Sequence, residues 1–139
     1  MIWFAFLAPV AIASAPPEVK PISATIAAIR SNPRKYNGQV VRLTGWVNSC
    51  QRLSCGINER PASDPKGAGD GLSIGDDAKF DQTIAPLLPT YVEFDARFDA
   101  RCLIHSQGNE IVVCTDRAPV LTVVSLRSVI SAEPPQFEN

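Results

Sequence analysis

The sequence predicts an all-β domain with a minor α component, and three observations carry the prediction. From Tyr91 to Cys102 the residues Val92, Phe94, Ala96, Phe98, Ala100 and Cys102 alternate without a break with Tyr91, Glu93, Asp95, Arg97, Asp99 and Arg101. Strict period-two alternation marks a strand with one wall on the core and one in water. Residues 39–48 repeat the pattern: Val41, Leu43, Gly45 and Val47 share one face, and Arg42, Thr44, Trp46 and Asn48 share the other. Helical spacing is confined to two short stretches, 22–32 and 78–88. The length of 139 residues suits one domain.

Element by element, residues 1–15 carry no charged side chain, and Ile2–Ala8 is an apolar run followed by Ala13-Ser14-Ala15. Small residues at these spacings predict a secretory signal peptide cleaved after Ala15, although no Lys or Arg precedes the apolar run. Fifteen residues fall short of the ~20 needed to span a bilayer. A Pro-bounded linker at 16–21 leads into a helix over 22–32, with apolar residues at 22, 26 and 29 and Ser23 or Thr25 as its cap, stopped by Pro33. Tyr36-Asn37-Gly38 predicts a turn into the strand at 39–48. Gly45 within that strand predicts a bend of the kind at which barrels turn corners. Short strands are expected at 53–58 and 71–75 around a Pro/Gly/Asp-rich loop, then a short helix over 78–88 limited by Pro86 and Pro89. Further strands are expected at 110–114 and 120–129. The domain thus occupies 22–130, and 131–139 form a fraying tail.

Four cysteines, Cys50, Cys55, Cys102 and Cys114, all lie beyond the leader, and an even count in an exported domain favours disulfides over thiols. Three pairings are open. Cys50–Cys55 and Cys102–Cys114 are favoured because each pair flanks a turn; a strand-turn-strand reading with a loop at Gln107–Asn109 places Cys102 opposite Cys114. A zinc site is the competing reading, but there is no C-x-x-C pair.

The order of helix, Asn-Pro-x-x-Tyr-x-Gly turn, bent strand, short strands, short helix, long strand and hairpin resembles the OB-fold. In particular "SNPRKYNGQVVRLTGWV" is similar to the opening of the small exported OB-fold proteins of bacteria, the periplasmic stress-associated group among them. The resemblance runs over roughly 22–128. It implies a five-stranded Greek-key barrel, here preceded by an N-terminal helix and with a short helix before the long fourth strand. In that fold the strand 2 and 3 face and its loops commonly bind ligands.

The charges sort the function classes. With 13 Lys+Arg against 14 Asp+Glu the formal net charge is -1, which excludes an indiscriminate nucleic-acid binder. The distribution is uneven, however. Seven basic residues and one acidic lie between Lys20 and Arg60, and three basic against eight acidic lie between Pro61 and Asp99. Such asymmetry fits a local anionic site or a protein partner, and equally fits opposite charges meeting across strands. Trp46 beside Arg42 offers a stacking platform if it is exposed and core packing if it is not. The candidate ligand residues are therefore Trp46, Arg42, Tyr91, Arg97 and Arg101. The expected ligand is a small anionic molecule, an oligosaccharide or an envelope protein, with no cofactor, metal or catalysis.

Gly71-Leu-Ser73-Ile-Gly75 fits the G-x-S-x-G elbow of serine hydrolases, with Asp95 or Asp99 and then His105 completing the order. The chain is small for that fold and the segment follows a Gly-rich loop, so a hydrolase is the alternative function, beside a structural subunit of an envelope complex. The acidic stretch Asp70, Asp76, Asp77, Asp81 lacks the spacing of a calcium loop. Asp116 and Arg117 are expected to organise the entry into the last strand.

Overall fold

The computed structural model describes residues 9–104, 114 and 117–130. Within them lie seven strands: β1 (Ile22–Ser23), β2 (Val40–Val47), β3 (Cys50–Gln51), β4 (Ser54–Asn58), β5 (Gly71–Ser73), β6 (Thr90–Phe98) and β7 (Leu121–Ile130). Three short helices accompany them: α1 (Ile26–Ser31), α2 (Pro33–Tyr36) and α3 (Ala78–Ile84), the last continued by one 3-10 turn over Ala85–Leu87. The strands form a curled sheet in the order β3-β4-β2-β6-β7, with β5 beyond β4 and β1 lying parallel to the start of β2. The principal pairings are antiparallel. The curl carries Ile74, just past β5, into a single parallel bridge with Leu121 at the start of β7. The result is a half-barrel.

The elements follow from their residues. Thr25 takes the cap of α1, its Oγ1 accepting from the Ala28 N–H at 3.0 Å, so that Ile26 and Ile29 point inward and are buried. Ile22 and Ser23 are a strand, not the first turn of the helix, because the Ala24 N–H is drawn to the Arg42 carbonyl at 3.1 Å. Pro33 ends α1 as expected, and it also opens α2 at a position where its missing N–H costs nothing. Gly38, at a φ of 74°, makes the turn into β2. Asp77 caps α3 through a 2.8 Å bond to the Phe80 N–H.

The alternation in the two long strands builds the core. Val41, Leu43 and Val47 of β2 and Val92, Phe94, Ala96 and Phe98 of β6 are fully buried in one core with Ile57, Leu72, Ile74 and Leu121, and Phe80 and Ile84 of α3 join the same core. Burial of side chains such as Phe94 and Phe98 contributes about 2 to 3 kcal/mol each. At Gly45 a Cβ would lie 2.7 Å from Ile57 Cγ1 and 2.8 Å from the Asn58 carbonyl. Glycine there lets β4 cross close to β2, where the two strands pair at Trp46 and Asn58.

Both expected disulfides are present, Cys50–Cys55 and Cys102–Cys114. The first joins directly opposed residues of β3 and β4. Such bridges belong to an oxidising environment. Among the described residues no helix is long and apolar enough to cross a membrane.

The expected strand at 91–102 ends early, at Phe98. Its inward pattern continues through Ala100, which is buried, but the chain turns there: the Leu103 and Ile104 N–H groups both bond the Ala100 carbonyl at 2.9 Å. Residues 102–104 are thus turn rather than the first arm of a hairpin. The remainder of that hairpin, residues 110–113 of the strand expected at 110–114, residues 1–8 of the signal peptide expected at 1–15 and the tail expected at 131–139 lie outside the described residues.

Candidate functional site

The face of β2, β6 and β7 that points away from the core carries four of the five residues singled out from the sequence. Register sets them in rows. Asn58, Trp46, Tyr91 and Ile130 run across β4, β2, β6 and β7. Next come Thr44, Glu93 and Ser128, then Arg42, Asp95 and Ser125, then Val40, Arg97 and Thr122. Trp46 is half-buried, neither core nor fully exposed, and meets the half-buried Tyr91 edge to face with ring centroids 5.7 Å apart. Such a pair is worth about 0.5 to 1.5 kcal/mol beyond its burial, and it fixes both rings at one end of the face.

Charge occupies the middle of the face. Arg42 reaches across from β2 to Asp95 in a bidentate pair, Nε to Oδ1 at 2.8 Å and Nη2 to Oδ2 at 3.1 Å. Arg127 adds a third bond to Asp95 at 3.3 Å and an ion pair to Glu93 at 3.5 Å. Asp95 is therefore not in water, as the alternation implied, but buried at 6% exposure beneath two guanidinium groups. The Arg42 hydrogen bonds hold its carboxyl below the usual carboxylate range, with Arg127 adding to the effect and burial opposing it. Arg42 is raised chiefly by the same bonds. Of the two explanations of the charge pattern, cross-strand pairing holds at this point.

Arg97 differs from its neighbours. It is exposed, its Nη1 donates to the Gly38 carbonyl at 2.9 Å, and it makes no ion pair among the described residues. Arg101 stands apart from the sheet, in the turn after β6, where three short bonds tie it to Asp99. Those bonds hold Asp99 below its ordinary value. A shallow depression of about 280 Å³ connects Arg101 with Arg97.

Alongside Arg42, Arg97 and Arg127 lies a groove of about 360 Å³, with Glu18, Val19 and Pro21 of the segment before β1 forming its far wall. Val40 and Val124 supply apolar surface within it. Arg127 escaped the sequence reading because its place on this face depends on a bulge. The β6–β7 register slips between Glu93 and Phe94, passing from Ser128 to Leu126 and leaving Arg127 as the extra residue. The available signal was that Arg127 is the single charge in an otherwise uncharged strand.

Arg117 anchors the approach to the last strand, and Asp116, expected to act with it, lies outside the described residues. The Arg117 side chain is only 5% exposed and donates to the carbonyls of Ile74, Gln51 and Gly75. It pairs with Asp81 through bonds of 2.6 and 2.9 Å, and with Asp76 at 3.2 Å. Cys50, Cys55 and Asp81 also cluster here within metal-binding distance of one another, but both sulfurs are spent in the disulfide.

Ser73 is the last residue of β5, paired with Gly56, and the next helix begins only at Ala78, so it does not stand on a sharp strand-to-helix turn. Its Oγ is buried without a partner among the described residues. His105 lies outside the described residues. Asp95 is committed to Arg42 and Arg127. Scans against protein-family models, curated proteins and solved structures returned no match for this chain.

Proposed function

We propose that this chain is an exported, disulfide-stapled binding module of the bacterial cell envelope with an OB-fold barrel, and that it takes its ligand on the outer face of β2, β6 and β7. The OB-fold reading draws support from the strand sequence β5-β4-β2-β6-β7, the parallel contact of Ile74 with Leu121, and the place of α3 in the chain between β5 and β6. Export draws support from the two disulfides together with the apolar leader that ends at Ala15. The periplasm or the extracellular space is the corresponding compartment.

The observation that carries the binding role is the joint presence of the Trp46–Tyr91 pair and the arginine-lined groove on one sheet face. Concave apolar surface with a few converging polar groups is the common form of a small-ligand site. The face used here is not the strand 2 and 3 face that OB-folds commonly employ. Around β4 and β5 the positions Gly56 and Gly71, without side chains, and Ser73, whose Oγ is buried, offer little to grip a ligand.

Tryptophan fluorescence tests the role. With Trp3→Phe the full chain has Trp46 as its only tryptophan, so a ligand on this face shifts or quenches a single reporter. A panel of envelope saccharides, small anions and peptides that leaves the emission unchanged, while calorimetry detects binding, moves the site elsewhere. The module performs no catalysis in this reading; covalent labelling of Ser73 by a fluorophosphonate would overturn that part.

A further inference from the structure

We infer that the ligand of the outer face is a short, sparsely acidic oligosaccharide that stacks on Trp46 and Tyr91 and places one carboxylate at Arg97. The inference rests on the binding role proposed above and adds the chemical class. Three features of the face select it.

The first is backbone. At the centre of the face β2 and β6 pair with each other along their whole length, from Val40–Arg97 to Val47–Thr90, and each is flanked by a further strand. A peptide arriving at the centre of this face therefore finds side chains rather than a row of free N–H and C=O groups, and capture by strand addition is left to the outer edge of β7 rather than to β2 and β6. The second is charge. Guanidinium and carboxylate groups alternate here: Arg127 and Glu93 are about equally accessible at 42% and 37% of the side chain. A nucleic acid or another dense polyanion would be repelled by Glu93 as it was attracted by Arg127. Sugar hydroxyls both donate and accept, so a mixed row of carboxylate, guanidinium, the Thr44 and Ser128 hydroxyls and the Asn58 amide suits them.

The third is spacing. On this face Arg97 is the exposed guanidinium without a carboxylate partner among the described residues, and it lies six positions from Tyr91 along β6. At strand rise that is about 20 Å, the reach of an oligomer rather than a single ring. The aromatic end offers apolar ring surface to the C–H face of a sugar, and Arg97 offers a charge-assisted hydrogen bond at the other. Between them the groove beside Glu18 and Val19 gives the chain a lateral wall.

The test uses the full chain with Trp3→Phe and three probes: a uronic-acid-containing oligosaccharide of three or four rings, its carboxyl methyl ester, and an acidic peptide of equal charge. The acidic oligosaccharide is expected to perturb Trp46 emission saturably, and its ester to bind about tenfold more weakly, the loss of one charge-assisted bond. Arg97→Ala should abolish the difference between acid and ester by weakening the acid far more than the ester, and Arg97→Lys should restore part of it. If acid and ester bind alike, or if Arg97→Ala weakens both equally, the role given to Arg97 is wrong. If the peptide alone perturbs Trp46, the saccharide assignment falls and the binding face stands. If no probe perturbs Trp46, yet the oligosaccharide binds by calorimetry, the face itself is wrong.

Discussion

Replacing Arg117 by Met should be the most damaging single change outside the apolar core. The methionine fills a comparable volume but withdraws every donor from a buried junction. The Ile74, Gln51 and Gly75 carbonyls lose bonds of 3.1, 2.9 and 3.3 Å, and the Asp81 carboxylate loses its bidentate partner. Removing one member of a buried ion pair costs about 3 to 5 kcal/mol, mostly because the other charge is left without compensation. Asp81 keeps 30% of its side chain exposed, so water relieves part of that cost. The lower end, about 3 kcal/mol, is therefore the expected loss. For a domain that marginal stability leaves with about 5 to 15 kcal/mol, the loss is severe. Urea unfolding of the oxidised protein, followed by far-ultraviolet circular dichroism, measures it as a fall in midpoint at unchanged slope. Asp81→Asn is the companion variant: it still accepts from Arg117, and it should cost less than Arg117→Met. A loss below about 1 kcal/mol for Arg117→Met, or a larger loss for Asp81→Asn, would refute the view of Arg117 as the tie between α3, β3 and the end of β5.

The remaining predictions concern close packing and titration. Gly45→Ala should destabilise by about 1 to 3 kcal/mol, since its Cβ would meet the Asn58 carbonyl at 2.8 Å as well as Ile57. Adding Ile57→Val should recover little, because the backbone contact persists; full recovery in a denaturation series would show that side-chain crowding alone is at work. Asp95 has a folded value below its unfolded one, so its contribution is complete above pH about 3.9 and is lost as the pH falls through the folded value. Asp95→Asn should accordingly be less stable at neutral pH and show a flatter acid limb in stability measured from pH 7 to pH 2. An acid limb as steep as in the parent would assign the titration to other carboxylates.

Some parts of this structure are carried by local pattern. The inward sets on β2 and β6 follow from alternation alone, because side chains on a strand point to opposite faces with period two, and a slip of one residue would put Phe94 and Phe98 in water. The Thr25 cap and the Pro33 stop are equally local. The Cys102–Cys114 pairing was correct although 102–104 form a turn, so its support in sequence was proximity across a short loop rather than strand register. The early end of β6 was not visible, since Ala100 keeps the inward pattern after the strand hydrogen bonds have stopped.

The candidate site divides in the same way. Alternation puts Trp46 and Arg42 on one face of their strand and Tyr91 and Arg97 on one face of theirs, and it does so before any fold is known. It is silent on which strands are neighbours. Only the pairing of β2 with β6 sets Trp46 against Tyr91 and Arg42 against Asp95, leaving Arg97 without a carboxylate partner among the described residues. Only the bulge in β7 adds Arg127 to the same surface. By itself the sequence determined a mostly β domain, two disulfides and the residues that look outward, because these depend on contacts a few positions apart. The tertiary structure decided which of those charges neutralise one another, because register between strands some fifty residues apart is fixed by burial of the common core.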